Sequence, residues 1–193
     1  IGQVNIAGTG ETEGYSRIPT QSELNLTSGA AYVHITSNNT IEGTQWNTLP
    51  DVGDTPLVSD SSSDIFSKPI DIGRYDLIYA GAQKNLGPAG VTLVIINEDL
   101  LERCCDNLPT MLDYRTHASN DSLYNTPNTF GVYMLGLMVK WLRSLGGLST
   151  IGKVNARKAA KLYKEIERSG FYRPRASKKS RSLMNITFRL ETE

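Results

Sequence analysis

Lys84 is the only lysine in Gly81-Ala82-Gln83-Lys84-Asn85-Leu86-Gly87-Pro88-Ala89-Gly90, a segment dense in small residues between two strongly apolar runs. Its glycines and Pro88 argue against a helix and let the backbone approach a ligand closely. The flanking strands would hold the amine near a low-dielectric interior, where burial disfavours its charged form. An unprotonated lysine is the nucleophile that a Schiff base requires. A solvated loop lysine would explain the same segment, so the loop alone leaves both readings open. Asp60 changes the balance. It closes the apolar run 56–60 (PLVSD), and in open α/β sheets ligands gather at the carboxyl ends of strands. There it is either a helix cap, as Ser61-Ser62-Ser63 suggests, or an acid that stays ionised beneath a cofactor with a basic pyridine nitrogen. With one further strand between them, Asp60 and Lys84 can face one cavity. Thr40, in Asn38-Asn39-Thr40-Ile41-Glu42-Gly43, is part of an Asn/Gly turn or offers a hydroxyl to a ligand. Asn125-Thr126-Pro127 either caps the long apolar segment that follows it or donates to a phosphate at that helix N-terminus.

The elements that must position these residues follow from the apolar pattern. Residues 31–36 (AYVHIT), 56–60, 76–80 (DLIYA) and 91–96 (VTLVII) are β-branched or continuously apolar and predict strands. Runs apolar on both faces imply a central sheet covered by helices, hence an α/β architecture. The first thirty residues are rich in Gly, Thr, Ser and Glu and predict mostly loop, with a short strand over 4–7. Acids at 97–99 suit a short helix start. Residues 129–145 predict a helix apolar almost all round and therefore buried, stopped by Gly146-Gly147. Ser149 is expected to cap a surface helix with Ile151, Val154, Leu162 and Ile166 inside, ending near Gly170. Residues 171–175 and 183–190 predict two strands joined by a basic loop, which points to a second, small α+β unit.

Composition narrows the function classes. The 193 residues carry 20 Lys+Arg against 20 Asp+Glu, which argues against bulk nucleic-acid affinity. The basic stretch Arg173, Arg175, Lys178, Lys179 and Arg181 lacks interleaved aromatics and is expected to be solvated. No run approaches a membrane span and no membrane partner is expected. His34 and His117 have no Cys or His at metal spacing, so no metal is expected. The adjacent Cys104 and Cys105 form no disulfide framework, consistent with a reducing, cytoplasmic compartment.

With these residues in view, the string IYAGAQKNLGPAGVTLVII, preceded by NNTIEG and followed by LYNTPNTFGVYMLGLMVKWL, closely resembles the class V family of pyridoxal-phosphate-dependent aminotransferases. The resemblance runs from VNIAG to SLMNITFRL, and GAQKN is its specific motif. It implies pyridoxal 5′-phosphate as cofactor, joined through a Schiff base to Lys84, which would also move the proton at the substrate Cα. It implies that Asp60 pairs with the pyridinium nitrogen, that Thr40 lies beside the cofactor O3′, and that Gln83 binds phosphate. Asn125 and Thr126 would reach the phosphate of the neighbouring subunit in a homodimer. The family's type I fold has a large α/β domain with a mixed, mostly parallel sheet and a small α+β C-terminal domain. Residues 1–145 then correspond to the second half of the large domain and 146–193 to the start of the small one.

The implied reaction moves the amino group of L-glutamate to 3-phosphohydroxypyruvate, giving 3-phospho-L-serine and 2-oxoglutarate. Serine synthesis is the implied pathway, and in bacteria pyridoxine synthesis also. An alanine–glyoxylate type transferase or a non-catalytic remnant of the fold are the alternatives. The resemblance also implies site groups that these residues do not include: a Gly-Arg phosphate contact, a ring-stacking tryptophan and substrate-binding arginines. The sequence is therefore expected to be part of a longer chain and inactive by itself.

Overall fold

The computed structural model describes residues 2–191. Residues 1, 192 and 193 of the two expected units lie outside the described residues. The strands are β1 (Val33–Thr36), β2 (Asn38–Asn39), β3 (Thr44–Gln45), β4 (Leu57–Asp60), β5 (Leu77–Gly81), β6 (Thr92–Ile96), β7 (Tyr172–Pro174) and β8 (Phe188–Leu190). The helices are α1 (Ala82–Asn85), α2 (Glu98–Leu101), α3 (Tyr114–Ser119), α4 (Thr129–Ser144) and α5 (Gly147–Ser169).

β1, β4, β5 and β6 form one sheet in that order, parallel across β1–β4–β5 and antiparallel at β5–β6. The sheet is thus mixed and mostly parallel. β4 is buried along Leu57, Val58 and Ser59, as a central strand covered on both faces must be. Ile65, Ile78, Ala80, Ala82 and Leu86 make the core beneath the sheet, with Phe66, Tyr75, Leu93 and Leu135 packed against them. A second sheet of β7 and β8, antiparallel, packs on α5, whose Ala159, Tyr163 and Ile166 are buried.

Several expectations are corrected. Residues 4–7 form no strand; nothing there alternates strongly enough to pair. A helix does occur in the Lys84 segment. Ala82 and Leu86, both fully buried, pin a single turn, and the Leu86 and Gly87 N–H groups both donate to the Ala82 carbonyl at 2.9 Å. Gly81 precedes that turn in extended conformation, so the glycines and Pro88 bound the helix rather than forbid it.

α4 was expected to be buried. Among the described residues it buries Gly131 and Leu142, while Phe130 and Trp141 are 68% and 52% exposed. Its inner face meets the core through Leu135 and its outer apolar face is uncovered. Ser149 is not the cap of α5. Gly146, at φ +96°, starts the helix in the left-handed region, and Ser149 falls inside the first turn. Leu162, expected inside, lies 52% exposed. The alternation at 183–190 yields a strand only over Phe188–Leu190, because the N–H groups of residues 183–185 donate to side chains instead.

Candidate active site

Lys84 lies where the exit of β5 meets the β2–β3 turn, and the exit of β4 is tied to the residue that opens the same helical turn. β4 ends at Asp60, which is in register with Thr36 of β1 and Tyr79 of β5. β5 runs directly into α1, so Lys84 sits one turn past the strand end. The turn between β2 and β3 carries Thr40, and the Lys84 Nζ donates to the Thr40 Oγ1 at 2.8 Å. The Asn85 Nδ2 donates to the Ile65 carbonyl at 2.6 Å, which fixes the rotation of the helical turn bearing the lysine.

Asp60 is tied to the same turn through a residue that the sequence offered only as part of a capping run. Its Oδ1 accepts from the Ser62 N–H at 2.9 Å and from the Ser62 Oγ at 2.6 Å, while Ser62 Oγ accepts from the Gly81 N–H at 3.0 Å. Ser62 thus links the acid to the residue that opens α1. Asp60 thus caps a local turn with one oxygen, and its Oδ2 has no protein donor among the described residues.

Tyr79 flanks the acid, and its phenol is pushed above its ordinary value first by burial and then by the Asp60 carboxylate. A tyrosine so placed stays neutral and can only lend a hydrogen bond, and His34 Nε2 lies 3.0 Å from its hydroxyl. The β-branched and apolar runs that predict β1 and β5 carried no sign of this pair.

Gln83 is exposed and folds back over Gly81, where an added Cβ would meet Gln83 Oε1 at 2.7 Å. A side chain at position 81 would displace only the mobile end of Gln83. Asn125 and Thr126 are not brought to Lys84. Both are exposed before α4, with the Asn125 Nδ2 donating to the Thr126 carbonyl at 3.2 Å. The adjacent Asn128 caps α4 instead, accepting from the Gly131 N–H at 3.0 Å and reaching the Ala89 carbonyl with its amide at 3.3 Å.

This donor set has a definite chemistry. An accessible primary amine, a carboxylate with a free oxygen and a hydroxyl held 2.8 Å from the amine suit a carbonyl-bearing ligand with a basic ring nitrogen. These residues therefore fit pyridoxal phosphate. Among the described residues, no group of three His, Cys, Asp or Glu side chains is placed to hold a metal ion.

The aminotransferase class-V family profile matches residues 4–192, nearly the whole chain. The chain belongs to the class-V aminotransferase family. Phosphoserine aminotransferase of Herpetosiphon aurantiacus is 55% identical over 194 residues, covering 100% of this chain and 54% of its own length. The solved phosphoserine aminotransferase from Bacillus circulans subsp. alkalophilus superposes with a TM-score of 0.96 at 49% identity, over 100% of this chain and 54% of that one. A pyridoxal-phosphate-bound phosphoserine aminotransferase from Trichomonas vaginalis does so at 0.87 and 36%, over 92% of this chain and 52% of its own. The chain thus spans about half the length of the curated relatives it matches and has the type I fold of this class-V family.

Proposed function

We propose that the protein containing these residues is a pyridoxal-phosphate-dependent phosphoserine aminotransferase. It exchanges the amino group between L-glutamate and 3-phosphohydroxypyruvate, giving 3-phospho-L-serine and 2-oxoglutarate. The observation that carries the reading is the contact between Lys84 and Thr40, beside an acid bridged to the same helical turn by Ser62. When bound, the cofactor supplies an electron sink for the charge left when a proton leaves the substrate Cα.

The chain's own residues do the rest. The Lys84 Nζ holds the cofactor covalently and, once released by the substrate, takes and returns the proton at Cα as a general base and acid. Asp60 would hold the cofactor's ring nitrogen, its carboxylate favouring the protonated form of that nitrogen. The Thr40 hydroxyl accepts from the Lys84 amine and can donate its own hydrogen to a neighbouring ring oxygen. Gln83 binds the phosphate, and Asn125 with Thr126 bind that of a second copy, which makes the working unit a homodimer. Their exposed position, away from Lys84 in their own chain, supports that assignment.

The division into a large domain through residue 145 and a small one from 146, the cytoplasmic compartment, and the place in serine and pyridoxine synthesis belong to the same reading. Borohydride reduction of the full-length protein loaded with pyridoxal phosphate, followed by peptide mapping, should place the phosphopyridoxyl group on Lys84. An adduct on another lysine, or on none, refutes the reading.

A further inference from the structure

Thr40 sits on a hairpin that cannot hold it unaided. β2 and β3 are two residues each, and an isolated pair of that size is marginal in water. What fixes the hairpin comes from the far end of the chain. The Asn38 Oδ1 accepts from the Ser182 Oγ, and its Nδ2 donates to Ser63 Oγ at 2.8 Å and Asn185 Oδ1 at 2.7 Å. Ser182 Oγ in turn accepts from the N–H groups of Met184 at 2.9 Å and Asn185 at 2.8 Å. On the other arm, Gln45 Oε1 accepts from the Leu183 N–H at 3.0 Å and its Nε2 donates to Asp64 Oδ2 at 2.9 Å.

The turn itself is gripped as well. The Ser182 N–H donates to the Gly43 carbonyl at 2.8 Å, the Thr187 Oγ1 donates to the Glu42 carbonyl at 2.9 Å, and Arg175 pairs with the Glu42 carboxylate. Gly43, at φ +72°, lies so close to this segment that an added Cβ would meet the Asn185 carbonyl at 2.8 Å.

Asn38, Gln45 and Ser182 are almost wholly buried, at 1%, 1% and 0% exposed. Apolar side chains of similar volume would stabilise such a seam at least as well, since burying polar groups is costly and hydrogen bonds return little net. What a fully satisfied polar network adds is a single arrangement. Among the described residues, the turn side chain that hydrogen-bonds Lys84 is Thr40, whose hydroxyl must stay within range of the amine.

We propose that residues 182–187, with Ser182 as hub, act as positioning residues that set the Thr40 hydroxyl against the Lys84 amine. The inference rests on Lys84 being the cofactor lysine, and its test separates the two. The test is a double-mutant cycle of Ser182→Ala and Thr40→Val in the full-length protein. Its first readout is the rate at which an acylating reagent labels Lys84 in the cofactor-free protein, with the other lysines as internal reference. The second is kcat and KM of the loaded enzyme.

With Thr40 present, Ser182→Ala should speed Lys84 labelling and lower kcat by at least roughly threefold each, with KM little changed. With Val at position 40 both effects of Ser182→Ala should vanish, because there is no hydroxyl left to misplace. Equal effects in the two backgrounds, or none in either, overturn the proposal. If Ser182→Ala does not accumulate as folded protein, Thr187→Val removes one grip on the turn and enters the same cycle, with Thr187→Ser expected to restore wild-type values. Failure of the borohydride adduct to map to Lys84 refutes the functional reading. An adduct on Lys84 with an additive cycle refutes only the positioning role.

Discussion

Asp60→Asn separates the turn contact that the structure gives Asp60 from the charge pairing proposed for it. The amide keeps an oxygen where Oδ1 now accepts from the Ser62 N–H at 2.9 Å and the Ser62 Oγ at 2.6 Å, so the local turn survives. What it removes is the charge. Two unit charges about 4 Å apart interact by about 4 kcal/mol at the effective dielectric of a protein surface and about 1 kcal/mol in water. Asp60 is half-buried, which places its ion pair toward the upper part of that range, at about 2–4 kcal/mol. If that stabilisation is felt when charge enters the ring, the turnover number of the full-length enzyme should fall roughly 30-fold to 1,000-fold. The assay is 2-oxoglutarate formation from L-glutamate and 3-phosphohydroxypyruvate, run beside thermal unfolding of the same samples. The Asn variant should unfold at nearly the wild-type temperature. Asp60→Ala should lose turnover similarly and, without the turn contact, about 1 kcal/mol of stability, roughly 1–2 °C in a full-length chain about twice as long as this one. An Asn variant with wild-type turnover would reduce Asp60 to a structural cap and refute the assignment.

Leu86→Ala should cost about 2–5 kcal/mol, because Leu86 is fully buried among Ile65, Ile78, Ala80 and Ala82 and anchors the turn that carries Lys84; an unfolding midpoint within 2 °C of wild type would contradict this packing. Asp64 makes a prediction about pH. Its carboxyl is pushed above the ordinary 3.8, first by burial, with hydrogen bonds from Ser37 and Gln45 offsetting part of the rise. An acid with a raised folded value binds its proton more tightly in the native state, so its contribution is fully present below the unfolded value and is lost as pH rises through the folded one. Denaturant titrations at a series of pH values should show the stability of wild type relative to Asp64→Asn falling from below pH 3.8 toward neutrality, and a rise over that window would refute the burial argument.

Much of the sheet was legible because central strands announce themselves. Residues 56–60 are a short apolar run ending in an acid, 76–80 and 91–96 are nearly continuously apolar, and β4, β5 and β6 fall within a residue of these runs. Periodicity has no direction, however, so nothing in residues 91–96 distinguished the antiparallel β6 from a fourth parallel strand. α4 shows a different limit. An all-round apolar helix predicts burial, but the pattern records every surface that is ever covered and does not say by what; Leu135 and Leu142 meet the rest of this chain while Phe130 and Trp141 stay open. In α1, composition was outweighed by packing: two buried side chains hold a turn that Gly and Pro alone would argue against.

The site was legible in its residue types and not in its joints. Lys84 between apolar runs and Asp60 at a strand end could be singled out by type and place, although the structure leaves the lysine exposed rather than held near a low-dielectric interior. That Thr40 meets Lys84 depends on where the turn of residues 40–43 lies, and that in turn depends on Ser182, far along the chain. The Met184, Ile186, Phe188 and Leu190 alternation concealed the relationship, since a strand reading assigns the backbone of residues 182–187 to a partner strand. The structure gives the N–H groups of residues 183–185 to the Gln45 and Ser182 side chains and that of Ser182 to the Gly43 carbonyl. A single hydroxyl between two serines, Ser62, is equally silent in sequence, yet it joins the acid to the lysine's helical turn. Groups that carry charge or nucleophilicity are thus marked by their type, whereas the groups that place them are ordinary serines and asparagines whose role exists only once the backbone has brought them together.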